Sequence, residues 1–174
     1  CEEGGVRIAN FLCNGNYAVS GSVSAIAKVQ EIAKPDFKAR MVVKLAVAGA
    51  FHTDFMAPAA EALKKGLAET PIETPKIPVI SNVDVLPHTD AESIRATLAK
   101  QLTSPVQWEK TMQALLAGGL EKSTEVGPGK VRIFHSPHSA SAHTRLTLSF
   151  SSGQVISGIM KRVDKTAVCE NFTV

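Results

Sequence analysis

The sequence predicts an α/β fold, and three observations predict it. Short Val- and Leu-rich runs alternate with segments whose apolar residues recur at near-helical spacing. Turn and breaker residues fall between them: Asn14-Gly15-Asn16, Pro35, the series Pro71, Pro75 and Pro78, and Gly127-Pro128-Gly129. No apolar run approaches the ~20 residues that a membrane span needs, which leaves packed layers of helix and sheet.

Each element has its own signal. Val6 to Leu12 reads as a strand, turned back by Asn14-Gly15-Asn16 into a return strand from Tyr17 to Ser20. Val23, Ile26, Ala27, Val29 and Ile32 make one face of a helix over 22–33, which Pro35 closes. Ala39 to Val47 is a further strand. Thr53 or Asp54 then caps a helix to about Glu69, with Phe55, Met56, Ala59, Ala60, Leu63 and Leu67 as its buried stripe. The prolines lead into Val79-Ile80-Ser81, a short buried strand, and Ala91 to Leu102 is another amphipathic helix. Ser104-Pro105-Val106-Gln107 reads as a capping box with proline at the first helical position, opening a helix to about Ala117. Ser123 to Val126 is a strand before the turn Gly127-Pro128-Gly129.

Composition narrows the class. The chain has 174 residues, 44% hydrophobic and 20% charged, ordinary values for one soluble domain or part of a larger one. A net charge of +3, with no arginine-rich stripe, is too weak for a nucleic-acid partner. Cys1, Cys13 and Cys169 lie far apart without metal or disulfide spacing and read as reduced thiols. No metal is expected: His88 sits in a polar loop, and His135, His138 and His143 fall in the serine-rich segment, where a metal site built from them is a weak reading. Gly127-Pro128-Gly129-Lys130 lacks the Lys-Ser/Thr pair of a nucleotide loop and reads as a turn. The start at Cys1 rather than methionine reads as that of an internal or C-terminal fragment.

Residues 131–154 stand apart. These 24 residues hold six serines, three of the five histidines and no acid; without them the net charge falls from +3 to +1, because Arg132 and Arg145 leave. The segment opens on valine, whose codons start GT, and closes on glutamine, which CAG encodes. Those are the boundaries of a retained intron. The alternative is a genuine surface loop or β-hairpin, since Thr144 to Phe150 alternates like a strand.

The candidate site is Gly49-Ala50-Phe51-His52. Here a histidine follows an apolar run and precedes an amphipathic helix. Imidazole both takes and gives a proton at neutral pH, and a strand-to-helix junction leaves it partly desolvated yet reachable. The surrounding sequence offers this base no convincing nucleophile.

Six motifs occur in order: Ile8-Ala-Asn-Phe-Leu-Cys13, Asn16-Tyr-Ala-Val-Ser-Gly21, Gly49-Ala-Phe-His52, Pro78-Val-Ile-Ser-Asn-Val-Asp84, Ser104-Pro-Val-Gln-Trp108 and Glu125-Val-Gly-Pro-Gly-Lys130. Together they closely resemble the malonyl-CoA:acyl carrier protein transacylase family of type II fatty acid synthesis. The resemblance covers nearly the whole chain except the serine-rich segment. It implies an α/β-hydrolase-like acyltransferase domain with an inserted ferredoxin-like subdomain. Residues 1–50 would be part of that small subdomain and 51–174 the C-terminal part of the large one.

The resemblance also implies the chemistry. A serine in a G-H-S-x-G elbow attacks malonyl-CoA, and the acyl-serine passes its malonyl group to the phosphopantetheine thiol of acyl carrier protein. His52 matches the general base. Gln107 matches a glutamine whose backbone carbonyl orients that imidazole. Phe51 matches an aromatic that goes with malonyl rather than methylmalonyl selectivity, though it could equally be core packing. Lys161, Arg162 and Lys165 form a basic cluster, either a docking surface for the acidic carrier protein or a solvated helix face. Coenzyme A and phosphopantetheine thioesters are substrates, with no bound cofactor, no nucleic acid and no membrane. The full-length protein would be a monomer of the plastid stroma or mitochondrial matrix, with the cytoplasm as alternative.

This chain departs from the family in lacking the G-H-S-x-G elbow, the oxyanion segment and the arginine that pairs with the malonyl carboxylate. Two other readings stay open: an acyltransferase domain of a polyketide or multifunctional fatty acid synthase, and a non-catalytic truncated fold that binds carrier protein.

Overall fold

The computed structural model describes residues 5–45, 47, 49–120, 122–126, 131–135, 145–149 and 168–172. They divide into two compact units, one made of residues 1–11 and 16–107, the other of 12–15 and 108–174.

In the first unit, β1 (Val6–Cys13) and β2 (Asn16–Gly21) form a two-stranded sheet. Phe11 and Tyr17 pack edge to face across it with ring centroids 6.0 Å apart. Helix α1 (Val23–Ile32) begins where the Ser22 hydroxyl accepts from the Ala25 N–H, and it ends before Pro35. The helix expected from Thr53 or Asp54 starts with a 3₁₀ turn at Asp54–Met56 capped by Thr53, then continues as α2 (Ala57–Glu69) with proline in its first turn. Helix α3 (Ala91–Gln101) starts at Asp90, whose carboxylate accepts from the Ser93 N–H.

Helices α2 and α3 lie against each other, and Ala60 and Ala99 are buried in them. Small residues there let the two backbones approach. The pair is antiparallel, because Arg95 near the start of α3 donates to the Leu67 and Thr70 carbonyls at the end of α2. The Leu67 carbonyl also accepts from the Thr70 N–H at 3.3 Å, and a guanidinium suits the remaining acceptor capacity and the negative end of the helix dipole.

Three expectations need correction in this unit. Ala39 to Val47 is irregular where described and makes no ladder among the described residues. It is rich in Val and Leu, but Met41 (77% exposed), Val43 and Leu45 face solvent. A strand exists through a neighbour's hydrogen bonds, and local pattern does not supply one. Val79-Ile80-Ser81 is reduced to a single bridge between Ile80 and Pro87, with Val79 exposed. The proposed capping box at Ser104–Gln107 opens no helix. Val106 instead bonds alongside β1, its N–H to the Ala9 carbonyl (2.8 Å) and its carbonyl to the Phe11 N–H (2.9 Å), and the helix waits until Trp108.

In the second unit, α4 (Trp108–Ala117) is followed by β3 (Lys122–Val126), β4 (Val131–His135), β5 (Arg145–Ser149) and β6 (Val168–Phe172). The sheet order is β5-β3-β4-β6, with β3 parallel to β5 and antiparallel to β4, and β4 antiparallel to β6. Strands β4 and β5 both come from the serine-rich segment. They flank β3 and are not paired with each other, so the β-hairpin alternative for 131–154 takes a different form here. Among the residues of this unit whose burial is described, Met112, Cys13, Trp108 and Leu120 are the buried apolar side chains.

Helix α4 ends in a Schellman motif: the Leu120 N–H reaches the Leu115 carbonyl and the Gly119 N–H reaches that of Leu116, with Gly119 at φ 87°. A Cβ on Gly119 would meet no atom within 4 Å, so its constraint is backbone conformation alone. Replacing Gly119 with alanine is expected to destabilise this unit by about 1–2 kcal/mol, the cost of a left-handed non-glycine residue. Gly119→Asn is expected to recover part of that, as read from urea midpoints.

Candidate active site

The site is built where the chain enters α2. His52 adopts φ 64°, a left-handed conformation uncommon for a residue with a Cβ. Such a conformation persists only when its surroundings over-determine it. Here the end of α3 does so. The His52 N–H donates to the Leu102 carbonyl at 2.9 Å. Its Nδ1 lies 2.9 Å from the Gln101 carbonyl and 3.0 Å from that of Ser104. A carbonyl can only accept, so Nδ1 carries the proton and donates to both oxygens. That leaves Nε2 as the unprotonated nitrogen of the neutral ring. Among the described residues no hydrogen bond reaches Nε2.

These acceptors exist because a helix ends there. The last carbonyls of α3 have no partner within the helix, and the chain turns away through Thr103 and Ser104, whose N–H groups fold back onto the Lys100 carbonyl. One residue thus satisfies α3 from both its main chain and its ring. The same arrangement fixes the ring's orientation and its tautomer.

Gln107 is placed elsewhere. Its N–H donates to the Asn82 carbonyl at 2.8 Å, in the stretch that runs beside β1. The carbonyls that orient His52 are those of Gln101 and Ser104, and the expectation for Gln107 is corrected accordingly. The sequence did hold a signal for this. The amphipathic stripe of α3 ends at Leu102, so free carbonyls at 101 and 102 followed from helix geometry. A motif match drew attention to the wrong glutamine.

Around His52, Phe51 is 41% exposed, so its ring is not core in this chain. On the other side Thr53 is buried, its hydroxyl donating to the Ala50 carbonyl at 2.6 Å and accepting from the Phe55 N–H at 3.3 Å. Asp54 meets Arg7 of β1 at 2.6 Å. Both side chains are largely exposed, so this pair steers the turn more than it stabilises it. An open cleft of about 400 Å³ lies along the turn, lined by Gly5, Arg7, Ser20, Thr53, Asp54 and Phe55. Lys161, Arg162 and Lys165 lie outside the described residues. Among the described residues no group of three metal-ligating side chains comes together, and no helix is long and apolar enough to cross a membrane.

Two carboxylates support the elements that frame the site. In the loop before α3, burial raises the Asp84 carboxyl, but bonds from the Leu86 N–H, His88 and Ser81 outweigh it and hold the group below its ordinary range. Asp90 is held low by the Ser93 hydroxyl and N–H at the start of α3.

No family model matches the chain. A malonyl CoA-acyl carrier protein transacylase from Bacillus subtilis is 40% identical over 131 residues, covering 75% of this chain and 41% of the relative. A probable malonyl-CoA-acyl carrier protein transacylase, mitochondrial, from Drosophila melanogaster is 39% identical over 127 residues, covering 71% and 33%. Among solved structures, the malonyl CoA-acyl carrier protein transacylase of Coxiella burnetii superposes with a TM-score of 0.76 at 27% identity, over 96% of this chain and 46% of that one. A malonyl-transacylase in complex with its type II PKS acyl-carrier protein matches with a TM-score of 0.72 at 27% identity, over 92% and 44%. These matches support the malonyl-CoA–acyl carrier protein transacylase family and give the chain an α/β acyltransferase fold. The chain spans less than half the length of these relatives.

Acid should loosen the frame of the site. A carboxyl held low when folded contributes stability above its unfolded value, here 3.8, and loses it as pH falls through the folded value. The urea midpoint is therefore expected to fall between pH 5 and pH 3 (values bracketing the ordinary carboxyl range of about 4). Asp90→Asn, which keeps a capping acceptor without the charge, is expected to show a shallower fall.

Proposed function

We propose that this chain is the C-terminal half of a malonyl-CoA:acyl carrier protein transacylase and that His52 is its general base. The observation that carries the reading is the imidazole geometry: Nδ1–H engaged by the carbonyls of Gln101 and Ser104, Nε2 left to accept a proton. An enzyme that activates a serine hydroxyl needs a nitrogen base in that state.

In the complete enzyme, a serine attacks the thioester carbonyl of malonyl-CoA while Nε2 of His52 takes the hydroxyl proton. Collapse of the tetrahedral intermediate expels coenzyme A, whose sulfur takes that proton. The malonyl-serine is then attacked by the phosphopantetheine thiol of acyl carrier protein, and His52 takes and returns a proton once more. The α3 carbonyls serve this cycle by stabilising the imidazolium formed in each half-reaction. No cofactor is needed, since the malonyl group arrives as an activated thioester and the carrier protein supplies the accepting thiol. The serine and its oxyanion donors would come from the part of the fold that this chain does not span.

Several finer assignments belong to the same reading. Residues 1–50 correspond to part of a ferredoxin-like subdomain and 51–174 to the C-terminal part of an α/β-hydrolase-like one. Phe51, half exposed beside the base, occupies space that the methyl branch of methylmalonyl would need. Lys161, Arg162 and Lys165 offer a basic face to an acidic carrier protein. The full-length protein works as a monomer in an organelle matrix, plastid or mitochondrial; the mitochondrial relative is consistent with the second.

With malonyl-CoA and holo acyl carrier protein, the 174-residue chain is expected to transfer no malonyl group above its His52→Ala variant. Joined behind the N-terminal part of a relative that carries the serine elbow, it should transfer. His52→Ala in that chimera should then lower the rate by about 10²–10⁴-fold, the usual worth of a general base. Transfer by the chain alone above its control, or an unaffected chimera, would overturn the proposal.

A further inference from the structure

We propose that Thr53 is a positioning residue for His52, its hydroxyl closing a bracket across the histidine that holds the left-handed backbone the base requires. The proposal rests on the reading of His52 as the base.

Three observations point there. First, Thr53 is only 2% exposed although Phe51 and Phe55 on either side are exposed at 41% and 61%. Second, its two bonds are unequal. The one from Oγ1 to the Ala50 carbonyl is 2.6 Å, while the capping bond it accepts from the Phe55 N–H is 3.3 Å. The shorter bond runs backward, past His52 and Phe51, and ties together the residues that bracket the strained position. Third, the helical piece it caps is a 3₁₀ turn of three residues, and α2 begins with Met56 at its N-cap and proline in the first turn. Capping alone gives little reason to bury a hydroxyl.

The other caps show the difference. Ser22 and Asp90 accept from the N–H three residues ahead, at the starts of α1 and α3, and among the described residues neither side chain bonds back to a residue before it. Thr53 makes both kinds of bond. Its backbone is extended, at φ −135° and ψ 168°, immediately after His52 at φ 64°. A reversal that abrupt is held between two fixed points: the Ala50 carbonyl behind and the Phe55 N–H ahead. The third point is the His52 N–H on Leu102. Loss of the Ala50 bond would free Phe51 and His52 to relax toward ordinary φ, and the ring would leave the Gln101 and Ser104 carbonyls.

The test reads His52 itself. In isotope-labelled full chain, a residue at positive φ gives a strong intraresidue amide-to-Hα NOE. Thr53→Val keeps shape and burial but removes both bonds, and Thr53→Ser keeps them. The valine variant is expected to lower the ratio of left-handed to ordinary His52 by about fivefold or more, the effect of one lost hydrogen bond on an equilibrium, read as a weakened His52 NOE. The serine variant should restore it, while NOEs at Lys38 and Val85, the other described non-glycine residues at positive φ, stay unchanged in both. A wild-type His52 NOE in Thr53→Val, whatever the change in overall stability, would reduce Thr53 to a cap and overturn the proposal. Should the valine variant not fold, Thr53→Cys takes its place, since a thiol is a weak donor; equal His52 NOEs in the serine and cysteine variants would overturn it likewise. Failure of the base assignment looks different, as an unaffected rate in the His52→Ala chimera with the NOE pattern intact.

Discussion

The unpaired carbonyls at the end of α3 are the constraint on which the rest of this site depends. A helix leaves its last carbonyls without internal partners, and burial near other backbone makes an unmet acceptor costly. His52 meets two of them, Leu102 with its N–H and Gln101 with its ring, and its ring also meets the Ser104 carbonyl just beyond the helix. To present N–H and ring to the same helix end, the backbone takes up its left-handed turn. That turn sets where α2 begins, and α2 then returns antiparallel to α3 and offers its own last carbonyls to Arg95. Each helix of the pair is thus capped at its C-terminus by a basic side chain from the partner or the turn that leads into it.

How much of this was legible in the sequence depends on how local the cause is. Helices α1, α2 and α3 and the β1–β2 pair were readable because stripe, cap and turn all lie within a few residues of one another. His52 was readable as a candidate base from its junction and its motif. Its left-handed φ was not, because histidine carries no preference strong enough to announce one. Ala39 to Val47 misled for the opposite reason: its Val and Leu content suits a sheet, while strand formation needs a neighbour at hydrogen-bonding distance. Ser104 to Gln107 misled through composition. The residues of a capping box were present, but the Val106 backbone found β1 first.

The same logic explains why half a fold can carry a legible fragment of a mechanism. His52, the proposed base, and the groups that hold its ring and backbone lie between Ala50 and Ser104, in one compact unit. On the proposed reading, the serine nucleophile approaches Nε2 from outside this span. A strained histidine that holds its tautomer without help from the reacting partner is pre-organised, and pre-organisation matters most when the partner arrives from a distant part of the chain. Phe51 and the open cleft beside the turn leave that approach unobstructed within this unit.

The most direct measurement is the tautomer of the His52 ring, read from long-range proton–nitrogen correlations in labelled protein at a pH where the ring is neutral. With Nδ1–H held by the Gln101 and Ser104 carbonyls, Nδ1 should show the shift of a protonated nitrogen and Nε2 that of a bare one. A ring protonated at Nε2 would contradict the account, because the nitrogen assigned to accept the proton would already carry it.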